Sequence, residues 1–430
     1  MSEPPTSVSE QEATPGRPQR QSFAALRHPH YRRYFVATSL AMMGDSTEHV
    51  ISYWMIFQKF HSPALGGFAI LSHWLPFLFF GVLSGALADR YDPRRMIQFG
   101  MFLFACCSLA WGILFLTDSL QMWHALVILT VHGFAGVFWG TPGQVLLHDM
   151  VGIETLPSAV RLNSTGRYLG LLAGPAVGGA VMMAFGPAHG ILLNICSFLP
   201  LVLLMWKAPY GPAFRKEKRP PRPIRGYADV FGSIESIRGN RIIISIMLLA
   251  SCSAFFVASG YQSQMPEFAQ DLGHGDAGFF YSLLLGANAL GALVAGFMLE
   301  ASGWLQPKPL TPFMLLMLWC SSLIGFALTN SYPVAVILML ITGFVGLAYD
   351  SMNQTLVQLN APPAIRGRVV GLYNMFAQGL RAFSGITIGV GGSVIGVHWS
   401  LALSATILLM LAVLLLFRVR PSLAAAEGTG

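Results

Sequence analysis

Asp45, Glu48 and His49 sit where charge is costly to keep. They fall inside an apolar run near 34–58, and a charge at the centre of a bilayer costs about 2.5–3.5 kcal/mol on insertion scales. At about 100° per residue the three side chains share an arc of about 100°, and Ser52 continues the stripe. Asp45 lies roughly 16 Å along that helix, near the middle of a bilayer. Two carboxyls and an imidazole on one helical face can take up, hold and release a proton near neutral pH. A neutralised structural cluster is the alternative. Arg167, in a later apolar run, lies at a similar depth. An ion pair with Asp45 or Glu48, released when a proton enters, would couple charge to shape. Its planar fork also suits an anionic ligand, and a purely structural pair remains open. Arg381 occupies an equivalent run and Asp350 is its candidate partner.

These residues need long apolar elements to hold them. The 430 residues are 54% hydrophobic and 10% charged, whereas soluble domains carry about 25% charge. The charges that exist cluster in residues 1–33 and 207–241. So sparse a charged surface excludes a cytosolic enzyme, a nucleic-acid binder and a disordered chain. The net charge of +7 comes from bases between apolar runs and not from a basic face. The five cysteines all lie within apolar runs without a C-x-x-C pair, as small core residues.

Apolar runs recur near 34–58, 64–88, 96–117, 122–147, 157–185 and 188–206, then near 241–265, 277–299, 311–330, 333–356, 367–394 and 397–417. Their length and lack of alternation exclude barrel strands. The expected fold is an all-α membrane protein with twelve transmembrane helices in two pseudo-symmetric six-helix bundles. The expected division is a disordered cytoplasmic tail over 1–33, a first bundle over 34–206, a basic cytoplasmic linker over 207–240, a second bundle over 241–418 and a cytoplasmic tail over 419–430. With the amino terminus inside, the cytoplasmic segments hold 23 of the 26 Lys and Arg residues and the opposite face only Lys59. That asymmetry places both termini in the cytoplasm.

The halves repeat. GALADRYDPRR (85–95) precedes the third run and GFMLEASGWLQ (296–306) the ninth, which aligns Asp89 with Glu300. GPAVGG (174–179) in the fifth run matches GITIGVGG (385–392) in the eleventh, with Gln144 and Gln354 before them. Two similar halves in one orientation are a transporter pattern, with a substrate site between them.

On these motifs the sequence resembles the major facilitator superfamily over about residues 30–420. GALADRYDPRR is similar to the loop motif between its helices 2 and 3, with Asp92-Pro93 in place of the usual Gly-Arg. Gly170, Gly174, Pro175, Gly178 and Gly179 resemble the antiporter pattern G-x-x-x-G-P-x-x-G-G. The branch most resembled holds enterobactin-type siderophore exporters, macrolide efflux proteins and lysophospholipid transporters. Gly44-Asp45 and the stretches 263–293 and 365–374 point there.

The resemblance implies that Gly85, Asp89, Arg90, Arg94 and Arg95 latch the halves on the cytoplasmic side, with Glu300 and Asp350 as gating partners. It implies that the glycine motif of the fifth helix packs the two halves together and seals the pore. It makes Asp45, Glu48, His49 and Arg167 the proton-coupling set. Cavity helices would present His132, Gln262, Gln264, Asn288, Asn353, Tyr373, Asn374, Gln378 and Arg381 to substrate, and His73 and Trp74 carry no signal. No nucleotide-binding, metalloprotease or hydrolase motif occurs, so neither an enzyme nor a cofactor is expected. The histidines are scattered along the chain, so no metal site is expected. The function expected is a monomeric, proton-coupled exporter of a small amphiphilic compound, such as a drug or siderophore, in the cell (inner) membrane. Its partners are then substrate, protons and lipid. A lysophospholipid flippase of the same fold and a non-transporting sensor are the alternatives.

Overall fold

Backbone N–H and C=O groups find no partners in lipid, so a chain of apolar runs must bond within each run. The computed structural model describes residues 22–61, 63–211, 214, 224–258, 260–272, 277–303, 305–385, 387–388 and 391–427, and among these there is helix and no strand. The first half comprises α1 (Pro29–Phe60), α2 (Pro63–Arg90), α3 (Pro93–Leu116), α4 (Met122–Asn194) and α5 (Leu199–Lys207). A linker helix α6 (Ala228–Ile237) follows. The second half comprises α7 (Arg241–Phe256), α8 (Gly260–Ser263), α9 (Met265–Asp271), α10 (Ala277–Ser302), α11 (Thr311–Leu328), α12 (Tyr332–Asn360), α13 (Arg366–Asn374), α14 (Arg381–Gly385), α15 (Gly391–Ile395) and α16 (Val397–Glu427). Eight of the described helical stretches are long and apolar enough to cross a membrane. α1 has the length, but its polar residues keep it outside that set.

The helix α4 kinks and departs from helical dihedrals at Gly152 (φ 73°) and Gly186 (φ 76°). Glycine reaches these values without a Cβ clash. The chain thereby makes successive segments over 122–151, 153–185 and 187–194, as three expected runs require. Pro175 sits inside the middle segment, whose backbone stays helical around it.

Several expected boundaries are corrected. Residues 1–21 of the expected tail lie outside the described residues, but Ala24–Arg27 form a 3₁₀ turn and α1 begins at Pro29. Ser22 Oγ donates to Ala301 O at 2.6 Å, and Ala25 N–H donates to Ser158 Oγ at 3.0 Å. The end of the tail is therefore bonded to the body of the protein. The linker is outside the described residues at 212–213 and 215–223, whereas 228–237 is helical. The run 241–265 breaks into α7, α8 and the start of α9. The run 367–394 breaks into α13, a π turn at Met375–Gly379 and α14, and GITIGVGG lies partly outside the described residues. The helix α16 carries the chain to Glu427 through most of the expected carboxyl-terminal tail.

Each half has its own apolar core. Tyr34, Phe104 and Phe198 anchor the first, and Phe268, Phe313 and Phe326 the second. Smaller clusters join the halves: Val82 packs with Val369 and Leu372, and Ala88 and Met96 with Val370. Large apolar side chains also point outward, Met183 being 82% exposed and Phe417 70%. Such a surface suits lipid and not water.

Candidate functional site

The polar stripe of α1 is buried against the first segment of α4. Asp45, Glu48 and His132 are each almost fully buried. His132 Nδ1 lies 2.9 Å from Glu48 Oε1, and Ser108 of α3 donates to Glu48 Oε2. Both Glu48 oxygens are thus occupied. His132 Nε2 lies 2.9 Å from Asp45 Oδ1, but the two atoms are not aligned as a hydrogen bond and neither has another hydrogen-bond partner. His49 Nδ1 stands 3.8 Å from Asp45 Oδ2. The His49 ring meets those of His132 and His73 edge-on at 4.6 Å and 5.0 Å. Phe104 closes the cluster, T-shaped on His132 and stacked on Phe198. Such mutual pairing is what allows two carboxyls to sit in an apolar interior.

Asp45, His49 and His73 open onto a cavity of about 280 Å³ between the two halves. Arg167 lines its wall beside Trp74, Phe77 and Trp139, and Asn374, Gln378 and Arg381 line it from the second half. The ion pair expected between Arg167 and Asp45 or Glu48 is not formed, because the carboxylates are engaged by imidazoles. Arg167 has no carboxylate partner among the described residues. Arg381 Nη2 lies 3.6 Å from Asp350 Oδ2, and its guanidinium covers the Trp74 ring at 5.3 Å. A residue of the second half therefore rests on one of the first.

A second, smaller cavity of about 60 Å³ lies in the second half, walled by Tyr261, Trp319, Tyr349 and Tyr373 with Asn288 and Asn353. Tyr168, Gln262 and Arg381 line both cavities. Asn353 is fully buried, and among the described residues neither of its amide atoms has a hydrogen-bond partner. Of the residues expected at the substrate, His132 lines neither cavity and belongs to the acid cluster. Gln264 immediately precedes α9, without a side-chain cap, and also lines neither.

The halves meet through two matching contacts at the end of the helices that carries Arg90 and Arg94. Asp89, at the end of α2, accepts hydrogen bonds from Gly367 N–H (2.7 Å) and Arg368 N–H (3.0 Å) at the start of α13. Glu300, near the end of α10, accepts from Arg161 Nε (2.8 Å) and from the Ser158 hydroxyl. A Cβ at Gly85 would overlap the Gly367 carbonyl, so this crossing requires glycine. Asp229 of α6 adds a contact by accepting from Arg368 Nε at 3.2 Å.

Three expected gating residues are placed otherwise. Arg94 bonds Asp92 and the Ala208 carbonyl, Arg95 bonds Gln98 and covers Trp206, and Arg90 covers Tyr91; none of these partners is in the second half. Asp92 caps α3 and Pro93 takes its first position. Gly170, Gly174 and Gly178 pack on Met42, Ser46 and Thr47 of α1, again within one half. The glycine motif therefore does not join the halves as expected. Pro175 is exposed, and no atom would meet a Cβ at Gly179.

Sequence reasoning missed His73, Trp74, Ser108, Ser158 and Asp229. His73 and Trp74 carry no pattern in α2. Ser108 and Ser158 are ordinary helix residues until a carboxylate faces them. Asp229 was hidden in a linker whose other charges are mostly basic.

Two helical halves about a charged central cavity define a membrane transporter of the major facilitator superfamily and not an enzyme. The chain belongs to the transmembrane secretion effector family, whose profile matches residues 20–428. It is similar to the enterobactin exporter EntS of Shigella boydii serotype 4 (strain Sb227), with 23% identity over 353 residues, 80% of this chain and 81% of that one. It is similar to the multidrug efflux pump Tap of Mycolicibacterium fortuitum, with 24% identity over 396 residues, 87% of this chain and 92% of that one. The fold matches the human organic anion transporter MFSD10 (TETRAN) at a TM-score of 0.69, over 90% of this chain and 99% of that one, with 14% identity.

Proposed function

We propose that the protein exports a small amphiphilic anion, of the siderophore or drug class, by alternating access in exchange for protons. Arg167 carries this reading: a buried-side cation without a carboxylate partner among the described residues, on the wall of an aromatic-lined cavity between the halves. A guanidinium offers a planar fork to a carboxylate or another anionic oxygen pair. Trp74, Phe77 and Trp139 suit the apolar part of such a solute. Names of relatives that export enterobactin or many drugs support the substrate class.

In this reading twelve helices cross the cell (inner) membrane in two six-helix bundles, 34–206 and 241–418, as a monomer with both termini cytoplasmic. Asp45, Glu48 and His49 are the proton-coupling groups, and Arg167 acts with them through the shared cavity rather than through an ion pair. Asp89 and Glu300 hold the cytoplasmic side closed, and release of both opens it. Export of a monoanion against entry of one proton moves two charges, worth about 4.6 kcal/mol at 100 mV. Half a pH unit adds about 0.7 kcal/mol.

The test uses purified protein in liposomes with an imposed pH gradient and a panel of anionic, neutral and cationic amphiphiles. Proton flux stimulated by anionic members, and a KM raised about 10- to 100-fold by Arg167→Gln, as loss of a charged hydrogen bond implies, support the reading. Flux stimulated only by cations, or untouched by Arg167→Gln, overturns it.

A further inference from the structure

We propose that the cluster beneath the cavity is a binding site for one divalent first-row transition-metal ion, held by His49, His73, His132 and Asp45. Three imidazoles from α1, α2 and α4 converge here, with a ring nitrogen of each within 4.8 Å of the others. Bonds of about 2.0–2.1 Å to a tetrahedral ion set ligand atoms roughly 3.3 Å apart, so modest ring movements close the set. Asp45 supplies a fourth ligand beside them: its Oδ1 lies 2.9 Å from His132 Nε2 and its Oδ2 3.8 Å from His49 Nδ1.

Three of these groups present buried atoms that no hydrogen bond uses, namely Asp45 Oδ1, His132 Nε2 and His73 Nδ1. His132 Nε2 and Asp45 Oδ1 face each other at 2.9 Å, where a cation could be held between them. Outer-sphere support is also present. His132 turns its other nitrogen, Nδ1, to Glu48 Oε1 at 2.9 Å, and Glu48 is held in turn by the Ser108 hydroxyl. A carboxylate on the far nitrogen fixes the tautomer and orientation of a metal-bound imidazole.

The other grouping, Glu48, Cys107 and His132, is less suited, because both Glu48 oxygens are taken and the Cys107 thiol points to the Ile128 carbonyl at 3.7 Å. Asp45, His49 and His73 line the cavity, which gives an ion its entry path. Imidazole-rich sets select ions such as Zn²⁺, Co²⁺, Ni²⁺ or Fe²⁺ over Mg²⁺ and Ca²⁺. The scattering of these histidines over residues 49, 73 and 132 hid the set from the sequence. The inference goes beyond the export reading and does not rest on it.

The experiment titrates Co²⁺ into the purified full-length protein in detergent, after treatment with a chelator, and follows the visible absorption of tetrahedral Co²⁺. One saturable ion per chain is expected, with displacement by Zn²⁺ and none by Mg²⁺. His73→Gln and His49→Gln should each weaken binding at least tenfold. Glu48→Gln should weaken it by about 10- to 100-fold, as for other outer-sphere carboxylates. His189→Gln, remote from the cluster in sequence and absent from its contacts, should bind as the unaltered protein does. Absence of saturable binding below about 1 mM, where affinity is only about 4 kcal/mol, overturns the proposal. So does unaltered binding by both His73→Gln and His49→Gln in protein that elutes as a single folded species. Export by chelator-treated protein in liposomes addresses the transport reading separately.

Discussion

The two halves meet through alike contacts and enclose unlike interiors. At the latch end, Asp89 and Glu300 stand at the same place in each half, and each reaches across to the other, Asp89 to the start of α13 and Glu300 to Ser158 and Arg161 within α4. Deeper in, the first half gathers Asp45, Glu48 and three histidines, whereas the second places Tyr261, Trp319, Tyr349 and Asn353 around its cavity. Burial of charge requires a matched set, since an ion stripped of its partner in an apolar interior costs about 3–5 kcal/mol. Aromatic rings and amides carry no such requirement and leave room for varied contacts. The first half thus buries its charge in one cluster, whereas the second holds the Arg381–Asp350 pair beside its aromatic cavity, with Arg381 on Trp74 where the halves touch.

The strongest way to break this division is to make the first interior resemble the second. Asp45→Asn keeps the shape and replaces the carboxylate with an amide like that of Asn353. We expect proton-driven export to fall at least 100-fold, about 2.7 kcal/mol, with counterflow of substrate in the absence of a gradient retained. Liposome assays of both modes check this. Equal loss of both would mean that Asp45 holds the cavity together instead of coupling it.

Next in size is the contrast between the two latches. Glu300 is almost fully buried and meets a guanidinium at 2.8 Å, whereas Asp89 is partly exposed, caps two backbone N–H groups and meets the Arg368 guanidinium only at 3.9 Å. Glu300→Gln should therefore cost the closed latch more, by about 3–5 kcal/mol, against about 1.5–3 kcal/mol for Asp89→Asn. Distances between spin labels on the latch ends of α2 and α13 would report opening. The reverse order would show that capping, and not ion pairing, dominates the closure.

The sequence made the latch acids and the buried acids legible for one reason: each departs from its apolar surroundings, and Asp89 and Glu300 do so at repeated positions. Helix periodicity then placed Asp45, Glu48, His49 and Ser52 on one face. What periodicity along a helix does not contain is the register between helices. For that reason His132, an expected substrate residue, lies on the acids instead, and of the two expected places for Arg167, on the acids or at an anionic substrate, the side chain takes the cavity wall. The breaks at Gly152 and Gly186 fell between runs and were anticipated. Those within 241–265 and at Met375–Gly379 follow no Pro or Gly pattern that separates them from intact helices nearby.

A smaller effect sharpens the view of the second interior. Asn353 buries an amide without hydrogen-bond partners. In a purely structural role, Asn353→Leu removes an unsatisfied group and should raise thermal stability, by about 1–3 kcal/mol of relieved desolvation. If the amide meets substrate, the same change raises KM while stability still rises. Thermal unfolding in detergent combined with transport assays separates the two outcomes.

The smallest effect belongs to an ion pair in water, which sets the scale for the buried ones. Lys59 Nζ lies 2.7 Å from Asp118 Oδ1 in the turn after α3, where Asp118 is 93% exposed. The hydrogen bond from Lys59, aided by its charge, holds the Asp118 carboxyl below the usual carboxylate range. A depressed carboxyl contributes its stability above the pKa of the unfolded chain, and that contribution disappears as pH falls through the folded value. Lys59→Ala should accordingly lower Tm slightly at pH 7 and leave it unchanged once Asp118 is protonated in both proteins. Because an exposed pair is screened by salt, the difference at pH 7 should also vanish in 1 M NaCl, where the screening length is about 3 Å. A loss at pH 7 that persists in high salt would show that Lys59 packs against the turn through its alkyl chain, and the pair would no longer serve as the solvent-exposed reference for Glu300 and Arg161.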